Sequence, residues 1–493
     1  MSVIPFGEYR PDVSDYQATT GRGALNVVPR NDGYGPFPSL AALSQALGER
    51  CRGGFAAYRV DGSVVVFAAT ATDLYLLNNT TFGWSRISKG GNAYAAISTG
   101  EIWQFRQFNN LVIAVQANTV PQVFDITTSS AFADLAGNPP PARYIDVVGR
   151  FVVLTGLLSN PNRVQWSGLN DVNGPTSWTP GLNSSDWQDL PDGGFCRGIA
   201  GGESGLIMQD TIIRRMTYLP GDPRVFQIEK IAEKLGIYGP YSLVRSGSTV
   251  FFYSLKGFQR IDPGGVPAQI GRERVDRTFF ADLDAANPQL FQGVADPRSS
   301  RILWFYKSVN GQTNQFDKVL CYDAVLDKFT PLRVSGEVVF EMSQPGVTLE
   351  ALDALVGANL DAMTQSLDGF QAAIVPELAA FDGSHALSFF RGPNLEATLE
   401  TAEQGTDGRR IRMKRGFRPV SDAPFVYGSA SRRENLQQAA TAGTESPLNL
   451  TTGICNMLLD TRYSRFKCRV PAGTTWTFMS GVEPLGLAPA GAR

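Results

Sequence analysis

The densest cluster of charged side chains in this 493-residue sequence is a basic run near the C-terminus. The segment RRIRMKR, residues 409–415, alternates cationic and apolar residues, which is typical of a β-strand with two different faces. It predicts that the cations share one face and that Ile411 and Met413 lie on the other. A second basic pair follows in SASRREN, and we expect it on an adjacent strand. Five residues are therefore candidates for contact with phosphate or a partner: Arg410, Arg412, Lys414, Arg432 and Arg433.

Two interpretations of this basic cluster remain open. Lys and Arg neutralise backbone phosphates without reading sequence, so the cluster could contact nucleic acid. Charges also protect exposed strands against edge-to-edge aggregation, which requires no ligand.

Other residues with catalytic potential do not form a recognisable pattern. The single histidine, His385, has no nucleophile signature such as G-x-S-x-G near it. Acids such as Asp210, Asp282 and Asp284 could supply a glycosidase pair, but the S-x-D-x-G-x-x-W box of sialidases is absent from the sequence. We therefore expect no catalytic residues, no cofactor and no enzymatic activity. The alternative is a propeller that binds or cleaves carbohydrate.

The five cysteines are scattered through the chain, and no two are spaced as in metal or redox motifs. We expect reduced, buried thiols and no metal site.

Charge and hydropathy limit the partners of the whole chain. The formal net charge is −2, and charged residues make up 18% of the sequence, below the roughly 25% of an average soluble domain. The N-terminus lacks the cationic and apolar regions of a secretory leader, and no apolar run approaches the ~20 residues that span a bilayer. We expect synthesis in the cytoplasm, loose contact with any polyanion and no membrane insertion.

The architecture is predicted by a recurring hairpin pattern. Apolar runs of four to six residues, flanked by turn residues, recur every 40 to 55 residues, close to the roughly 40 to 50 of propeller repeats. They begin near Val64, Leu111, Phe151, Leu206, Val250 and Ile302. The chain is thus predicted to be all-β, with a β-propeller of about six blades, or seven if a terminus contributes one. A pair of β-sandwiches is the alternative. Most of the tryptophans are expected to fill gaps between blades.

Four regions follow from this pattern. Residues 1–50 are predicted to be an extended N-terminal arm that clamps a neighbour, with one short helix over 39–48. The propeller is assigned to 51–342, and 343–379 to a crossing segment or short helices whose structure the sequence leaves undecided. A C-terminal β-sandwich-like domain is assigned to 380–493.

Several segments, taken in order, resemble a known family. They are PFGEYRPDVSDY and ALNVVPRNDGYGPFPSL near the N-terminus, then FNNLVIAVQANTVPQVFDI, RVQWSGLNDVNGPTSWTPG, LPDGG and MTYLPGDPRVFQIEKI. TLEALDALVGANLDAMTQSLD, LAAFDGSHALSFFRGPNLEATLET and TRYSRFKCRVPAGTTWTFMSGVEP follow. In these segments the chain resembles the nozzle or tail-hub proteins of short-tailed bacteriophages, also called packaged-DNA stabilisation proteins.

The resemblance implies a structural subunit of the virion tail, assembled in the host cytoplasm. It implies a homohexameric tube that docks an adaptor ring on one side and a tail needle or tip on the other, with tail fibres or tailspikes as further partners. Double-stranded genomic DNA would pass through the lumen without sequence specificity. The family supplies no catalytic residues. Near-zero net charge fits this passage, because each neutralised phosphate adds salt-dependent affinity that would slow release. The isolated subunit is expected to be monomeric, with an arm and loops that order on docking to the adaptor.

Overall fold

The computed structural model describes residues 3–14, 16, 20–344, 376–405, 409–486 and 488–490. Most of the described residues between 41 and 389 form seven four-stranded antiparallel sheets, each containing one strand that lines a common axis. This arrangement is a seven-bladed β-propeller. The all-β prediction is confirmed, and the count of about six blades is corrected to seven.

Each of blades 1 to 7 has four strands that follow one another outwards from the axis. The innermost strands are Gly53–Tyr58, Gln104–Phe108, Ala142–Val148, Cys196–Ala200, Val244–Ser246, Gln292–Ala295 and Val338–Ser343. The second strands are Val64–Ala69, Leu111–Gln116, Phe151–Leu157, Ser204–Gln209, Thr249–Ser254, Arg301–Tyr306 and Pro376–Phe381. The third strands are Leu74–Leu77, Thr119–Asp125, Arg163–Trp166, Ile212–Tyr218, Gly257–Ile261, Lys318–Asp323 and Ala386–Phe389. The outermost strands are Trp84–Arg86, Ala133–Asp134, Asp186–Asp189, Phe226–Glu233, Ala268–Gln269, Lys328–Leu332 and Ala41–Ala46.

The second strands explain the recurring apolar pattern of the sequence. Every residue of Val64–Ala69 and of Phe151–Leu157 is buried, because both faces of each blade pack against neighbouring blades. Aromatic rings fill the wedges between blades, as where Phe67 and Phe124 approach with ring centroids 5.3 Å apart. All six sequence-predicted runs form second strands.

The seventh blade is assembled from both ends of the propeller sequence. Its outermost strand, Ala41–Ala46, pairs with Ala386–Phe389 in a register that sets Ala42 opposite Ser388. The predicted helix over 39–48 is therefore wrong, because pairing to the blade holds this segment extended. The propeller boundaries at 51 and 342 are also wrong, since blade 7 takes in 41–46, 376–381 and 386–389. The assigned crossing segment 343–379 lies mostly outside the described residues, which resume at 376 with a strand of this blade.

The two faces of the propeller carry different loops. Connections between successive blades, and the turns between second and third strands, lie on one face, which we call the connection face. It bears the α-helix Asp276–Asp282 and the 3-10 turns Lys89–Gly91, Pro191–Gly193, Pro240–Ser242 and Pro288–Leu290. The opposite face, which we call the hairpin face, carries the turns between first and second strands and between third and outermost strands.

The remaining chain forms a β domain beside the propeller. A twelve-stranded sheet contains, in order, Ala24–Leu25, Ala397–Glu400, Tyr463–Val470, Tyr427–Arg433, Ser446–Asn449, Ile454–Cys455, Gly416–Ser421, Met479–Leu485, Gly33–Pro36 and Val27–Arg30. Ile4–Pro5 and Gln404–Gly405 pair at its sides. Leu459–Thr461, Arg410–Met413 and Ala488–Ala490 form a three-stranded sheet, and Glu8–Tyr9 pairs with Thr20–Gly21 in parallel.

The large sheet folds over its own core. Phe417 and Phe466, from distant strands of the sheet, pack with ring centroids 5.4 Å apart, and one apolar cluster joins both halves. The prediction of a C-terminal β-sandwich-like domain is confirmed. Its predicted start at 380 is wrong, because 386–389 belongs to blade 7 and the first strand that the C-terminal part of the chain adds to the domain begins at Ala397.

The N-terminal region contributes strands to both the β domain and the propeller. Its strands pair with Met479–Leu485 and Ala397–Glu400 in the β domain and with Ala386–Phe389 in blade 7. The expected arm that clamps a neighbour therefore clamps its own chain over these strands. Asn26 lies where the β domain meets blade 6, donating to the carbonyl of Glu396 and accepting from the amide of Arg333. No helix among the described residues has the length and apolar character needed to cross a membrane.

Candidate functional site

The predicted basic strand forms as the alternation indicates. Arg410–Met413 is the middle strand of the three-stranded sheet, with Ile411 at 2% and Met413 at 1% exposure. Arg412 and Lys414 are exposed, and Arg410 is half-buried. The two faces therefore have the predicted polarity.

Ion pairs within the β domain neutralise much of this charge. Arg410 pairs with Asp460 (Nε to Oδ1, 2.6 Å) and with Glu434 (Nη1 to Oε2, 2.9 Å). Arg412 also contacts Asp460, at 2.9 Å from Nη2 to Oδ2. Hydrogen bonds from the two arginines lower the pKa of Asp460, which keeps its carboxylate charged. These two arginines therefore hold the neighbouring strand Leu459–Thr461 more directly than they offer charge to a ligand.

The second basic pair divides between two roles. Arg433 forms an ion pair with Glu403, whose side chain is 2% exposed, and this contact lies in the interior. Arg432, the preceding residue on the strand, is exposed, and its backbone pairs with Thr441. Across the part of the chain that the structure describes, Lys414, Arg415 and Arg432 form no ion pair.

The basic residues are brought together, although from two sheets. The hydroxyl of Thr461, on the strand that pairs with Arg410–Met413, donates to the carbonyl of Arg433 at 2.9 Å. Glu434, the residue after Arg433, reaches Arg410. Two of the five predicted residues, Lys414 and Arg432, thus keep a charge that an external phosphate or carboxylate could bind.

The propeller axis encloses a second candidate site, which sequence reasoning missed. Residues from all seven innermost strands line a channel of about 600 Å³. That volume lies within the roughly 300–1,000 Å³ of small-molecule sites. No local sequence signal marks such a channel, because its lining comes from seven segments spread over almost 300 residues.

One pair of charged side chains in this channel is neutralised by an ion pair. Arg106 of blade 2 binds Asp146 of blade 3 at 2.8 Å, and Asp146 also accepts from the amide of Gly201 at 2.9 Å. Burial alone would lower the pKa of Arg106, but the carboxylate of Asp146 more than offsets it. Glu341 faces the channel, yet desolvation by the surrounding blades raises its pKa, and Arg106 opposes that rise. Arg245 donates to the carbonyl of Gly201, which ties blade 5 to blade 4.

The acids considered for glycoside cleavage are engaged in ion pairs. Asp210 binds Arg197 at 2.7 Å, Asp282 binds Lys318 at 2.7 Å, and Asp284 binds Lys307 at 2.7 Å. Lys307 lowers the pKa of Asp284, the reverse of what a general acid needs. His385 lies in the turn after the second strand of blade 7 and faces Glu337.

The five cysteines are free and buried, which confirms the expectation for the thiols. Burial raises the pKa of Cys196 and of Cys321 to about 12, so both stay protonated at neutral pH. Across the described residues no group of three or more His, Cys, Asp and Glu side chains is placed to hold a metal ion. Among the tryptophans, Trp103, Trp166, Trp178 and Trp304 are at most 2% exposed and fill gaps between strands and blades as predicted, whereas Trp187 is 39% exposed.

Comparisons with known proteins find only remote similarity to solved structures. No family model matches the chain, and no curated protein matches it. Among solved structures, the Pan2 WD40 domain of Neurospora crassa aligns at 10% identity with a TM-score of 0.34, covering 68% of this chain and 87% of that one. A quinonprotein alcohol dehydrogenase-like protein from Bacteroides thetaiotaomicron aligns at 12% identity with a TM-score of 0.36, covering 61% of this chain and 76% of that one. Dihydro-heme d1 dehydrogenase NirN in complex with DHE aligns at 12% identity with a TM-score of 0.38, covering 87% and 79%. These likenesses are remote, and the propeller assignment rests on the seven sheets of this chain.

Proposed function

We propose that this chain is a structural subunit of a ring-shaped tail nozzle or hub of a short-tailed bacteriophage. In that role it retains the packaged genome and conducts DNA during ejection, with an adaptor ring on one side and a needle or tip on the other. The observation that carries the proposal is the order of family-like segments over almost the whole sequence. They run from PFGEYRPDVSDY at the N-terminus to TRYSRFKCRVPAGTTWTFMSGVEP near the C-terminus.

The dimensions of the propeller limit where DNA could run in the proposed ring. Spread over the roughly 20 Å length of a six-residue strand, the axial channel of about 600 Å³ has a cross-section of only about 30 Å², whereas the major groove of a duplex is itself about 12 Å wide. Duplex DNA therefore does not fit along the propeller axis. In the proposed ring the lumen is formed between subunits, and each propeller is a solid wall element.

The charge distribution is compatible with a surface that DNA slides along. The densest basic cluster is partly neutralised by Asp460, Glu434 and Glu403, which leaves Lys414, Arg415 and Arg432 as a few cations without an ion pair among the described residues. Because each phosphate contact steepens salt-dependent binding, so few cations bind a duplex weakly. Weak contact permits rapid release of the genome.

The exposed apolar side chains give such a ring its contact sites. Val60 is 96% exposed and Val325 78% exposed on the hairpin face, while Val309 is 58% exposed on the connection face. Heterologous contacts in a ring use two different patches of each subunit, so apolar residues on both faces suit that symmetry.

A genetic experiment tests the proposal directly. Phage carrying an amber codon at Trp103 are grown in a nonsuppressing host, and the DNA content of purified heads is measured after DNase treatment. We expect heads that package DNA and then lose it, together with loss of infectivity. DNase-resistant, infectious particles that lack the chain would show the proposal to be wrong.

A reconstruction of the intact tail provides the second test. We expect six copies around the tail axis, with the innermost strands of the propeller away from the DNA. A map that places the chain outside the wall of the axial passage would refute the conduit role while leaving the propeller intact.

A further inference from the structure

An open apolar groove lies on the connection face where blades 4, 5 and 6 meet. The link from blade 4 to blade 5, residues 234–243, forms one wall, and the link from blade 5 to blade 6 forms another. The turn Leu255–Lys256 of blade 5 closes a third side. The groove has a volume of about 1,030 Å³. Its apolar lining residues are Leu235, Ile237, Tyr238, Pro240, Leu255, Leu283, Ala285, Pro288 and Phe291.

The floor of the groove is held rigid by the propeller. Ile237 and Phe291 are buried, and the amide of Ile237 donates to the carbonyl of Gln209 at 3.1 Å. The amide of Tyr238 donates to the carbonyl of Tyr253 at 2.9 Å. A preformed apolar concavity binds a partner with little ordering cost, because its own side chains are already fixed.

Large apolar side chains stand exposed beside this floor. Leu255 is 74% exposed and Phe280, on the helix Asp276–Asp282, is 53% exposed. Tyr238 lies between the groove and that helix, with its ring centroid 6.2 Å from that of Phe280. Grouped apolar exposure around a concavity is typical of a surface that a partner covers.

The groove continues into a second cavity. A cavity of about 680 Å³, lined by Arg272, Arg277 and Phe280 among others, shares the Leu255–Lys256 turn with it. Together the two exceed the roughly 300–1,000 Å³ of a small-molecule site. An extended chain, whose side chains alternate between opposite sides, can reach both cavities across the turn.

The rim of the groove carries cations that lack ion-pair partners. In the described part of the chain, Lys234 and Lys256, which line the groove, form no ion pair. Around the second cavity the unpaired charges balance more closely, with Arg272 and Arg277 against Asp12, Glu273 and Asp276. The acids within the groove are already satisfied, since Asp210 binds Arg197 and Asp284 binds Lys307. Charge complementarity therefore favours an acidic occupant.

We propose that this groove binds a short extended segment of another protein that combines apolar side chains with acidic ones. Leu, Ile or Phe side chains occupy the two cavities on either side of Leu255. Asp or Glu side chains face Lys256 and Lys234 at the rim. This recognition does not depend on a virion role and holds for any partner with such a segment.

Selection from a random peptide library tests this inference. The intact chain is immobilised and panned with an mRNA-displayed library of random peptides of roughly 12 residues, which span about 40 Å when extended. We expect enriched sequences that combine Leu, Ile or Phe with Asp or Glu. Binding of the selected peptides is then measured by fluorescence polarisation.

Matched variants locate the binding site. Leu255→Asp should weaken the selected peptides at least about tenfold, because it places a charge between the two cavities. Lys256→Glu should weaken them about threefold to tenfold at low salt and less at high salt. Val60→Asp, at an even more exposed apolar position on the hairpin face, should leave binding unchanged. Near-UV circular dichroism and thermal unfolding check that each variant is folded.

Three results would overturn the inference. The first is a selection that yields no sequence sensitive to Leu255→Asp, and the second is an enriched consensus that is basic. The third result uses 1-anilinonaphthalene-8-sulfonate as a probe. If this dye binds saturably to the wild type but not to Leu255→Asp, and the library yields no binding peptide, the groove is a small-molecule site instead.

Discussion

The Nδ1 atom of His385 lies 2.7 Å from Oε1 of Glu337, at the seam where the N-terminal strand closes blade 7. Glu337 is 1% exposed at its side chain, and its Oε2 accepts from the amide of Cys51 at 2.9 Å. Burial raises the pKa of Glu337, while the Cys51 amide and His385 oppose that rise. One carboxyl group thus joins the segment before blade 1 to the last turn of blade 7.

Glu337→Ala should lower the free energy of unfolding by about 1–3 kcal/mol, because it leaves the buried amide of Cys51 without an acceptor. Glu337→Gln keeps an acceptor and should cost less. Guanidinium denaturation at pH 7 measures both, with Glu203→Ala at an exposed position as the control. Equal stabilities of the Ala variant and the control would show that this carboxyl group does not hold the seam.

Asp276 should make the chain less stable as pH rises. Burial, with a smaller contribution from the charge of Asp12, raises the pKa of Asp276 from 3.8 to about 6, against the amide of Phe258 that donates to it. A raised carboxyl pKa favours folding below pH 4, and this contribution is lost as pH increases towards 6. Asp276→Asn should therefore be more stable than the wild type at pH 7.5, by at most about 3 kcal/mol, and equal to it near pH 4.

Thermal unfolding of both proteins from pH 4 to pH 7.5 measures this difference. Asp61→Asn provides a control whose difference from wild type should hardly change over this pH range, because hydrogen bonds from Ser63 lower the pKa of Asp61 and the group stays charged from pH 4 to pH 7.5. A difference between wild type and Asp276→Asn that does not vary with pH would contradict the assignment.

Two N-terminal truncations should separate the propeller seam from the β domain. Removal of residues 1–40 deletes strands of the β domain only, whereas removal of 1–46 also deletes the outermost strand of blade 7. Hydrogen exchange should show the amides of 386–389 that face Ala41–Ala46 protected in the shorter truncation and open in the longer one, whereas amides bonded to Pro376–Phe381 stay protected in both. The amide of Leu387, which donates to the Ser44 hydroxyl at 3.0 Å, is the most informative probe. Equal protection of the Leu387 amide in both proteins would refute closure by the N-terminal strand.

Asn26 should contribute to stability through both its backbone and its side chain. It has a φ of 57° and is 8% exposed, and its side chain joins Glu396 to Arg333. Asn26→Ala should cost about 2–4 kcal/mol, from left-handed strain and two lost hydrogen bonds. Asn26→Gly removes only the hydrogen bonds and should cost roughly 1–2 kcal/mol less than Ala. Denaturant titrations of the two variants separate the backbone strain from the side-chain hydrogen bonds. Equal decreases in the free energy of unfolding would exclude a backbone contribution.

Lys414 and Arg432, with their unpaired neighbour Arg415, should carry most of the phosphate affinity of the basic cluster. Lys414→Ala and Arg432→Ala should each reduce the slope of log K against log salt for duplex DNA by about 1. Arg410→Ala should leave that slope unchanged and lower stability, because its charge is already used by Asp460 and Glu434. Fluorescence anisotropy with a labelled duplex across a salt series measures the slopes. A larger effect from Arg410→Ala on the slope would assign the phosphate contact to the paired arginines.

The propeller could be predicted because its second strands are buried on both faces and read as continuous apolar runs. Blade 7 lacks that signal: its first two strands are separated by residues 344–375, and its outermost strand comes from 41–46. Leu40, Leu43 and Leu47 have helical spacing, but pairing with 386–389 overrides this local preference. Long-range pairing of this kind leaves no periodic mark on the sequence.

The basic strand Arg410–Met413 could also be predicted from the sequence, but its ion pairs could not. Alternation placed Ile411 and Met413 in the core and their cationic neighbours outside. The acids that neutralise Arg410 lie 24 and 50 residues further along the chain, and nothing local pairs them with it. The connection-face groove joins residues from two blade-to-blade links and the turn Leu255–Lys256, so it exists only in the folded chain.

Closure of blade 7 by Ala41–Ala46 also delays completion of the propeller until late in synthesis of the chain. Ala41 leaves the ribosome long before its partner Phe389, and at about 5–20 residues per second the delay is roughly 20–70 s. During that interval the backbone groups of the nascent strand Ala41–Ala46 have no pairing partner, and the propeller cannot close. The yield of this protein in cells should therefore depend on chaperones that shield early-emerging strands.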